Sequence, residues 1–326
     1  MTDTVVAPEW AARYAGPARE VCRAALLDLA RADSRVMCLD SDVGGLEDLF
    51  AELPDQYVNV GIAEANLIGV AAGMAAAGLV PYAHTLSSFA AARAAEQIKV
   101  DVAGNNLPVR IVVTHGGLSA GHYGPTHHAV EDLAIMRTMP DLTVLVPADA
   151  VEAEQAMLAS ARLPGPVFLR LGRGATPLVY AEPPAFRVGR AVELRAGDDV
   201  TLMATGPHPV LMALAAADLL AADGVRSTVL NVHTVKPLDS AAVRRAAART
   251  AGIVTVEDHL VVGGLGGAVA ETVSAHRPCP VRRVGVPDRF SDLVGDELTL
   301  LTAAGITPAA IATEALAIVR DRSVRR

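Results

Sequence analysis

Short apolar runs alternate with longer stretches of helical period along most of the chain. Residues 36–39, 79–85, 109–114, 142–146 and 167–171 read as buried strands. Segments 17–31, 67–78, 88–103, 130–138 and 149–163 between them read as helices. The rhythm resumes with strands at 200–204, 227–232, 253–256 and 281–286, and helices at 209–222, 240–250, 266–276 and 308–320. Strands that alternate with helices and lack polar alternation predict parallel pairing with both faces covered. The expected fold class is therefore α/β, as two consecutive three-layer α/β/α domains with mostly parallel sheets. Pro177, Pro183 and Pro184 fall in a stretch of little periodicity, which places the boundary between units 1–178 and 179–326. The uncharged segment 67–83 is too short for a membrane span and is broken by Pro81, so it reads as a buried helix running into a strand.

One stretch stands out within this pattern: Asn59-Val60-Gly61-Ile62-Ala63-Glu64-Ala65-Asn66. It puts Glu64 in the first turn of a helix that follows a strand, at the sheet edge where open α/β folds hold ligands. A carboxylate there also complements the helix dipole, so helix support and chemistry both stand as readings. The loop from His115 to His128 is the second such stretch, with four histidines and four glycines directly after a strand. Glycines let backbone approach a ligand closely, and imidazole suits proton transfer near neutral pH. Metal binding and plain loop capping compete with that reading, although no His-Glu-x-x-His pattern accompanies the histidines. Gly263, Gly264, Gly266 and Gly267 before a helix are compatible with a phosphate nest or with close packing; a dinucleotide fingerprint is not satisfied.

Composition narrows the field. With 326 residues, 52% apolar and 20% charged, the chain can bury two cores. A formal charge of −8 argues against nucleic acid as a partner. Lys99 and Lys236 are the only lysines, leaving two candidates for any Schiff-base chemistry. Cys22, Cys38 and Cys279 are isolated and odd in number, which fits a reducing cytosol. Asp3, Pro8 and Glu9 interrupt any apolar leader, and the closing basic run reads as a frayed end. Localisation is expected to be cytoplasmic, with no membrane partner.

Several motifs stand in the order and spacing of one family. Gly61-Ile62-Ala63-Glu64, Thr85 with Ser88-Phe89, the Gly124-Pro125-Thr126-His127 loop, Glu131-Asp132-Leu133-Ala134 and Pro147-Ala148-Asp149 resemble the pyrimidine-binding domain of transketolases. Val235-Lys236-Pro237-Leu238-Asp239 and Glu257-Asp258-His259 resemble the transketolase C-terminal domain. No Gly-Asp-Gly occurs, although that family holds diphosphate and magnesium with it. The chain therefore resembles the C-terminal subunit of a split transketolase, whose N-terminal half is a separate polypeptide; its alanine and arginine bias suggests a GC-rich bacterial genome.

The resemblance implies a thiamine-diphosphate-dependent transferase that moves a two-carbon ketol unit from a ketose or modified sugar to an aldehyde. Glu64 would bond N1′ of the aminopyrimidine and, with His127, serve catalysis. Asp42, Ile62, Leu86 and Phe89 would line the cofactor, Leu86 replacing an aromatic common in relatives. His115, Tyr123, His127 and Arg173 would face the substrate, with Arg170 competing with Arg173 for a phosphate. Tyr123 stands where relatives commonly carry Asp, which points to a smaller or modified donor. Mg²⁺ would be held by the partner, a Gly-Asp-Gly-bearing N-terminal subunit, in an α2β2 heterotetramer; the isolated chain would form at least a homodimer. Alternatives are the β subunit of a 2-oxoacid dehydrogenase E1, a deoxyxylulose-phosphate-synthase-like acyl transfer, and a non-catalytic scaffold or regulatory partner of the N-terminal subunit.

Overall fold

A computed structural model describes residues 9–324. The reading of Asp3 and Pro8 and the last two arginines lie outside the described residues. The first unit holds β1 (Val36–Asp40), β2 (Tyr57–Asn59), β3 (Val80–Leu86), β4 (Arg110–Thr114), β5 (Thr143–Leu145) and β6 (Val167–Arg170). Its helices are α1 (Ala18–Ala32), α2 (Leu46–Leu49), α3 (Glu64–Ala76), α4 (Ser87–Ala92), α5 (Ala95–Gln97), α6 (Asp132–Thr138) and α7 (Ala150–Ser160). The second unit holds β7 (Val192–Arg195), β8 (Val200–Thr205), β9 (Ser227–Asn231), β10 (Thr234–Lys236), β11 (Ile253–Leu260) and β12 (Val281–Val286). Its helices are α8 (Pro207–Ala222), α9 (Ser240–Arg249), α10 (Leu265–His276), α11 (Glu297–Ala303) and α12 (Pro308–Val324).

The first sheet runs in the order β10-β5-β6-β4-β3-β1-β2, and the second β12-β11-β8-β9-β7. Pairing is parallel except for β10 on β5 and β7 on β9. Each sheet is covered on both faces, which is why β1, β4, β6 and β8 are buried along their whole length. In the first unit, Cys22, Leu26, Ala153 and Met157 from α1 and α7 pack one face. Leu67 and Ala71 of α3, with Ile98 and Leu133, pack the other. Alanine and glycine along α3 let it lie close to the strands. In the second unit, α8 and α12 cover one face and α9 and α10 the other. Complete burial of a leucine such as Leu26 or Leu67 contributes about 1.5–3 kcal/mol.

The structure departs from the hydrophobic pattern in four places. The helix expected over 88–103 is broken: α4 ends at Ala92, and the Ala94 N–H reaches back five residues to the Phe89 carbonyl at 3.1 Å. A π-helical turn then spans Ile98–Ala103, keeping Ile98 and Val102 in the core. The strand β10 leaves its own unit and pairs with β5, so the first sheet draws one strand from beyond the linker. The edge strand β7 and the helix α11 were not expected, because their alternation is short and only partly apolar. Finally, α12 continues through Val324, so the closing run is helical there rather than frayed. The stretch from Glu297 to Asp321 is apolar and long enough to cross a membrane by composition. Gly305, at φ +81°, separates its two helices, and Leu300, Leu301, Ile311, Ala315 and Ile318 are buried in the second core.

Candidate active site

The C-terminal ends of β1, β3 and β4 and the loop after β2 gather most of the residues singled out in the sequence. Two of them carry unusual backbone: Asp42 lies at φ 65° and His115 at φ 61°. Non-glycine residues in the left-handed region are costly and cluster at functional sites. Asp40, two residues before Asp42, accepts the Val43 N–H at 2.9 Å and the Tyr57 hydroxyl at 3.0 Å, fixing this turn beside β2. Asp42 itself is exposed, and no hydrogen bond or ion pair joins it to the other candidates among the described residues.

Glu64 is the first residue of α3 and is 2% exposed. Its carboxylate is not left to the helix dipole alone. Arg93, next after α4, donates to Oε2 at 2.7 Å, and its guanidinium carbon lies 4.6 Å from the Phe89 ring centroid. Ile62, two residues before Glu64, is an exposed apolar side chain at the same mouth. Leu86 closes β3 and is half-buried.

From Phe89 a wall of rings continues into the histidine loop. Phe89 meets the His127 ring edge-on at 5.3 Å, and His127 lies 5.1 Å from Tyr123. Tyr123 in turn lies 5.9 Å from His115 and 4.1 Å from His122, with the Arg173 guanidinium 5.6 Å from its ring. Arg173 also approaches His122 Nδ1 at 3.4 Å. Below them, Ser119, His122, Arg173 and the start of α11 line a cleft of about 280 Å³. Burial, helped by the charge of Arg173, holds His115 down to about 4, so this imidazole is neutral at pH 7. Its Nδ1 lies 2.9 Å from the Thr114 hydroxyl.

A buried polar cluster carries this loop. Gly117 and Ala129 exchange two backbone hydrogen bonds that close its base. Both oxygens of Asp258 accept the Leu118 N–H, at 3.1 and 3.0 Å, and a Cβ on Gly117 would fall 1.8 Å from that carboxylate. Arg170 donates to Asp132 at 2.6 Å and to the carbonyls of Ala129 and Asp258, while Ser87 donates to Asp132 at 2.6 Å. Arg170 is thus consumed inside the protein, and Arg173 is the guanidinium that faces the cleft. Asp132 and Asp258 stood in the quoted motifs but not among the expected site residues; their neighbours lie far away in the chain, so spacing gave no signal.

Two competing readings drop out. The glycine cluster before α10 is no phosphate nest: Glu257 accepts the N–H groups of Leu265 at 2.6 Å and Gly266 at 2.8 Å, filling that helix start with the protein's own carboxylate. The loop histidines form no metal cluster, since no group of three His, Cys, Asp or Glu side chains converges on one point among the described residues.

The arrangement therefore offers a planar seat with a buried acidic edge and an aromatic face, at one end of a row of rings that leads to the cleft lined by His122, Arg173, Asp296 and Glu297. The guanidinium now lying on Phe89 and bonded to Glu64 shows that a flat group with N–H donors fits that seat, as an aminopyrimidine requires. Sequence comparison agrees with this geometry. Residues 17–179 match the family model of the transketolase pyrimidine-binding domain, and residues 189–311 that of the transketolase C-terminal domain. The 6-deoxy-6-sulfo-D-fructose transketolase subunit of Clostridium sp. (strain MSTE9) is 42% identical over 82% of this chain and 84% of its own. An apulose-4-phosphate transketolase subunit of Phocaeicola vulgatus is 39% identical over 81% of this chain and 85% of its own. A solved split-gene transketolase, described as an inactive β4 tetramer, superposes with a TM-score of 0.85 at 37% identity, covering 93% of this chain and 98% of that one. This chain belongs to the transketolase family. Within it, the chain is the pyrimidine-binding subunit of a split, thiamine-diphosphate-dependent transketolase-like transferase, the half that works with a separate N-terminal subunit.

Proposed function

We propose that this subunit transfers a two-carbon ketol unit from a modified ketose to an aldehyde, in an α2β2 assembly whose Gly-Asp-Gly-bearing partner holds the diphosphate and Mg²⁺. The observation that supports it best is the pairing of a buried carboxylate, Glu64, with an aromatic face, Phe89, at one planar seat. In this reading Glu64 bonds the edge of the pyrimidine, Phe89 packs its face, and Ile62, Leu86 and Asp42 line the rest of the cofactor site. Thiamine diphosphate, when bound, supplies the electron sink for the two-carbon unit. His115, neutral at pH 7, and His127 then orient donor hydroxyls and move protons at oxygen, and Arg173 binds the anionic end of the sugar. Phe89, His127 and Tyr123 wall one side of the site.

Tyr123 supports a modified donor. Ringed by His115, His122, His127 and Arg173, it offers an aromatic hydroxyl at the loop position for which the resemblance implies a carboxylate acceptor. The names of two similar subunits, one for 6-deoxy-6-sulfo-D-fructose and one for apulose 4-phosphate, agree with specialisation in this group. A deoxyxylulose-phosphate-synthase-like reading is weaker, because such a relative is matched over only 50% of its length. We place the boundary between the two units at 178 and 179, and the enzyme in the cytoplasm. Steady-state assay of the reconstituted enzyme with fructose 6-phosphate, xylulose 5-phosphate and a sulfonated ketose tests the proposal. Preference for a modified sugar is expected; full ordinary transketolase rates contradict it.

A further inference from the structure

Glu64 raises a problem that Arg93 solves. A carboxylate 2% exposed costs several kcal/mol if it stays charged with no partner. When the cofactor is absent, something in the chain must meet it. Arg93 follows Phe89 by four residues and its N–H bonds the Phe89 carbonyl at 2.9 Å, so one helical turn brings its side chain over the Phe89 ring. The guanidinium therefore touches the two groups that the pyrimidine reading assigns to the cofactor ring: the Glu64 carboxylate at 2.7 Å and the Phe89 face at 4.6 Å. A guanidinium is flat, carries N–H donors in its plane and stacks on aromatic faces, as an aminopyrimidine does. Its side chain is 52% exposed, so it has an open way out to solvent.

We propose that Arg93 is a stand-in for the aminopyrimidine: it occupies the seat on Glu64 and Phe89 in the cofactor-free chain and gives it up when thiamine diphosphate binds. The inference rests on the pyrimidine-binding reading of that seat. A pyrimidine lying on the Phe89 face that the guanidinium covers would displace it, so binding is an exchange at Glu64. The acid stays partnered before and after. The exchange has a cost in affinity, because the cofactor binds only the fraction of molecules whose seat is open.

The test measures thiamine-diphosphate dissociation constants by calorimetry on the chain co-purified with its N-terminal subunit, and melting temperatures of the cofactor-free protein. Wild type is compared with Arg93→Ala, Arg93→Lys and Glu64→Ala. Exchange predicts that Arg93→Ala binds the cofactor about tenfold more tightly while melting lower without it, so the cofactor-induced rise in melting temperature grows. Arg93→Lys, which keeps the charge but loses the flat fork, should fall between, and it stands in if Arg93→Ala does not fold. If Glu64→Ala weakens binding but the Arg93 variants bind no more tightly than wild type, the exchange is wrong and the cofactor site survives. If Glu64→Ala leaves the affinity unchanged, the cofactor site itself is wrong and the exchange falls with it.

Discussion

At the scale of single residues, two arginines three positions apart have opposite tasks. Arg170 is buried against Asp132 and two carbonyls, whereas Arg173 faces the cleft. Arg170→Ala removes one partner from a buried pair and should cost about 3–5 kcal/mol, seen as a lower denaturation midpoint. Arg173→Ala should leave that midpoint in place and raise KM for an anionic donor about tenfold to a hundredfold. Equal losses of stability in both variants would show that the division is wrong. The sequence carried both arginines at nearly the same place and could not separate them. What separates them is that a β-strand points Arg170 inward onto Asp132, and that is a long-range fact. The Arg93–Glu64 contact was invisible for the same reason: helical spacing puts Arg93 four residues after Phe89, but Glu64 lies 29 positions away on another helix.

At the scale of elements, helix starts and strand ends are stabilised by buried ionisable groups that answer differently to pH. Glu152 of α7 accepts the Ala148 N–H, Asn231 and the Tyr180 hydroxyl, tying the first unit to the second and to the linker. Burial pushes it up to about 7, as it does Glu257 of β11, which accepts from the start of α10. A raised carboxyl gives stability that is full below about pH 4.5 and is lost as pH rises through 7. His84, His115 and His233 are depressed by burial to about 3, 4 and 4, so their stability is present above about pH 6.5 and lost as pH falls through 4. Melting temperature should therefore decline on both sides of a maximum in mildly acidic buffer. Glu152→Gln should flatten the decline between pH 5 and 8, and a decline unchanged in that variant would assign it to other groups. Most of these elements were legible, because apolar runs and helical periods mark α1, α3, α8 and the central strands plainly. The strands β7 and β10 were not, being three or four residues long and defined by their partners rather than by their own pattern.

At the scale of the whole molecule, the site is an edge rather than an enclosure. Ile62 is 74% exposed beside Glu64, and Phe290 and Val294 are 92% and 62% exposed on the loop that reaches the histidine segment at Gly121. Large apolar side chains left bare around a half-built site call for a second surface. The isolated chain should therefore sediment as a dimer or larger at micromolar concentration, and a compact monomer would contradict that. Much of this was readable in advance, since the motifs of both units stand in one family's order and no Gly-Asp-Gly accompanies them. The strand exchange of β10 and the Asp132–Arg170–Asp258 cluster, which fasten the units together, were not readable. Strand β10 pairs with β5 from across the linker, and Arg170 reaches Asp132 and the Asp258 carbonyl from 38 and 88 positions away.

The central claim is that the Glu64 carboxylate grips the thiamine ring in a pocket shared with another polypeptide. It is tested most directly by turnover of Glu64→Gln in complex with the N-terminal subunit, with assembly checked by sedimentation. The account predicts an intact assembly whose turnover falls by about a hundredfold or more. Wild-type turnover in that variant would contradict it.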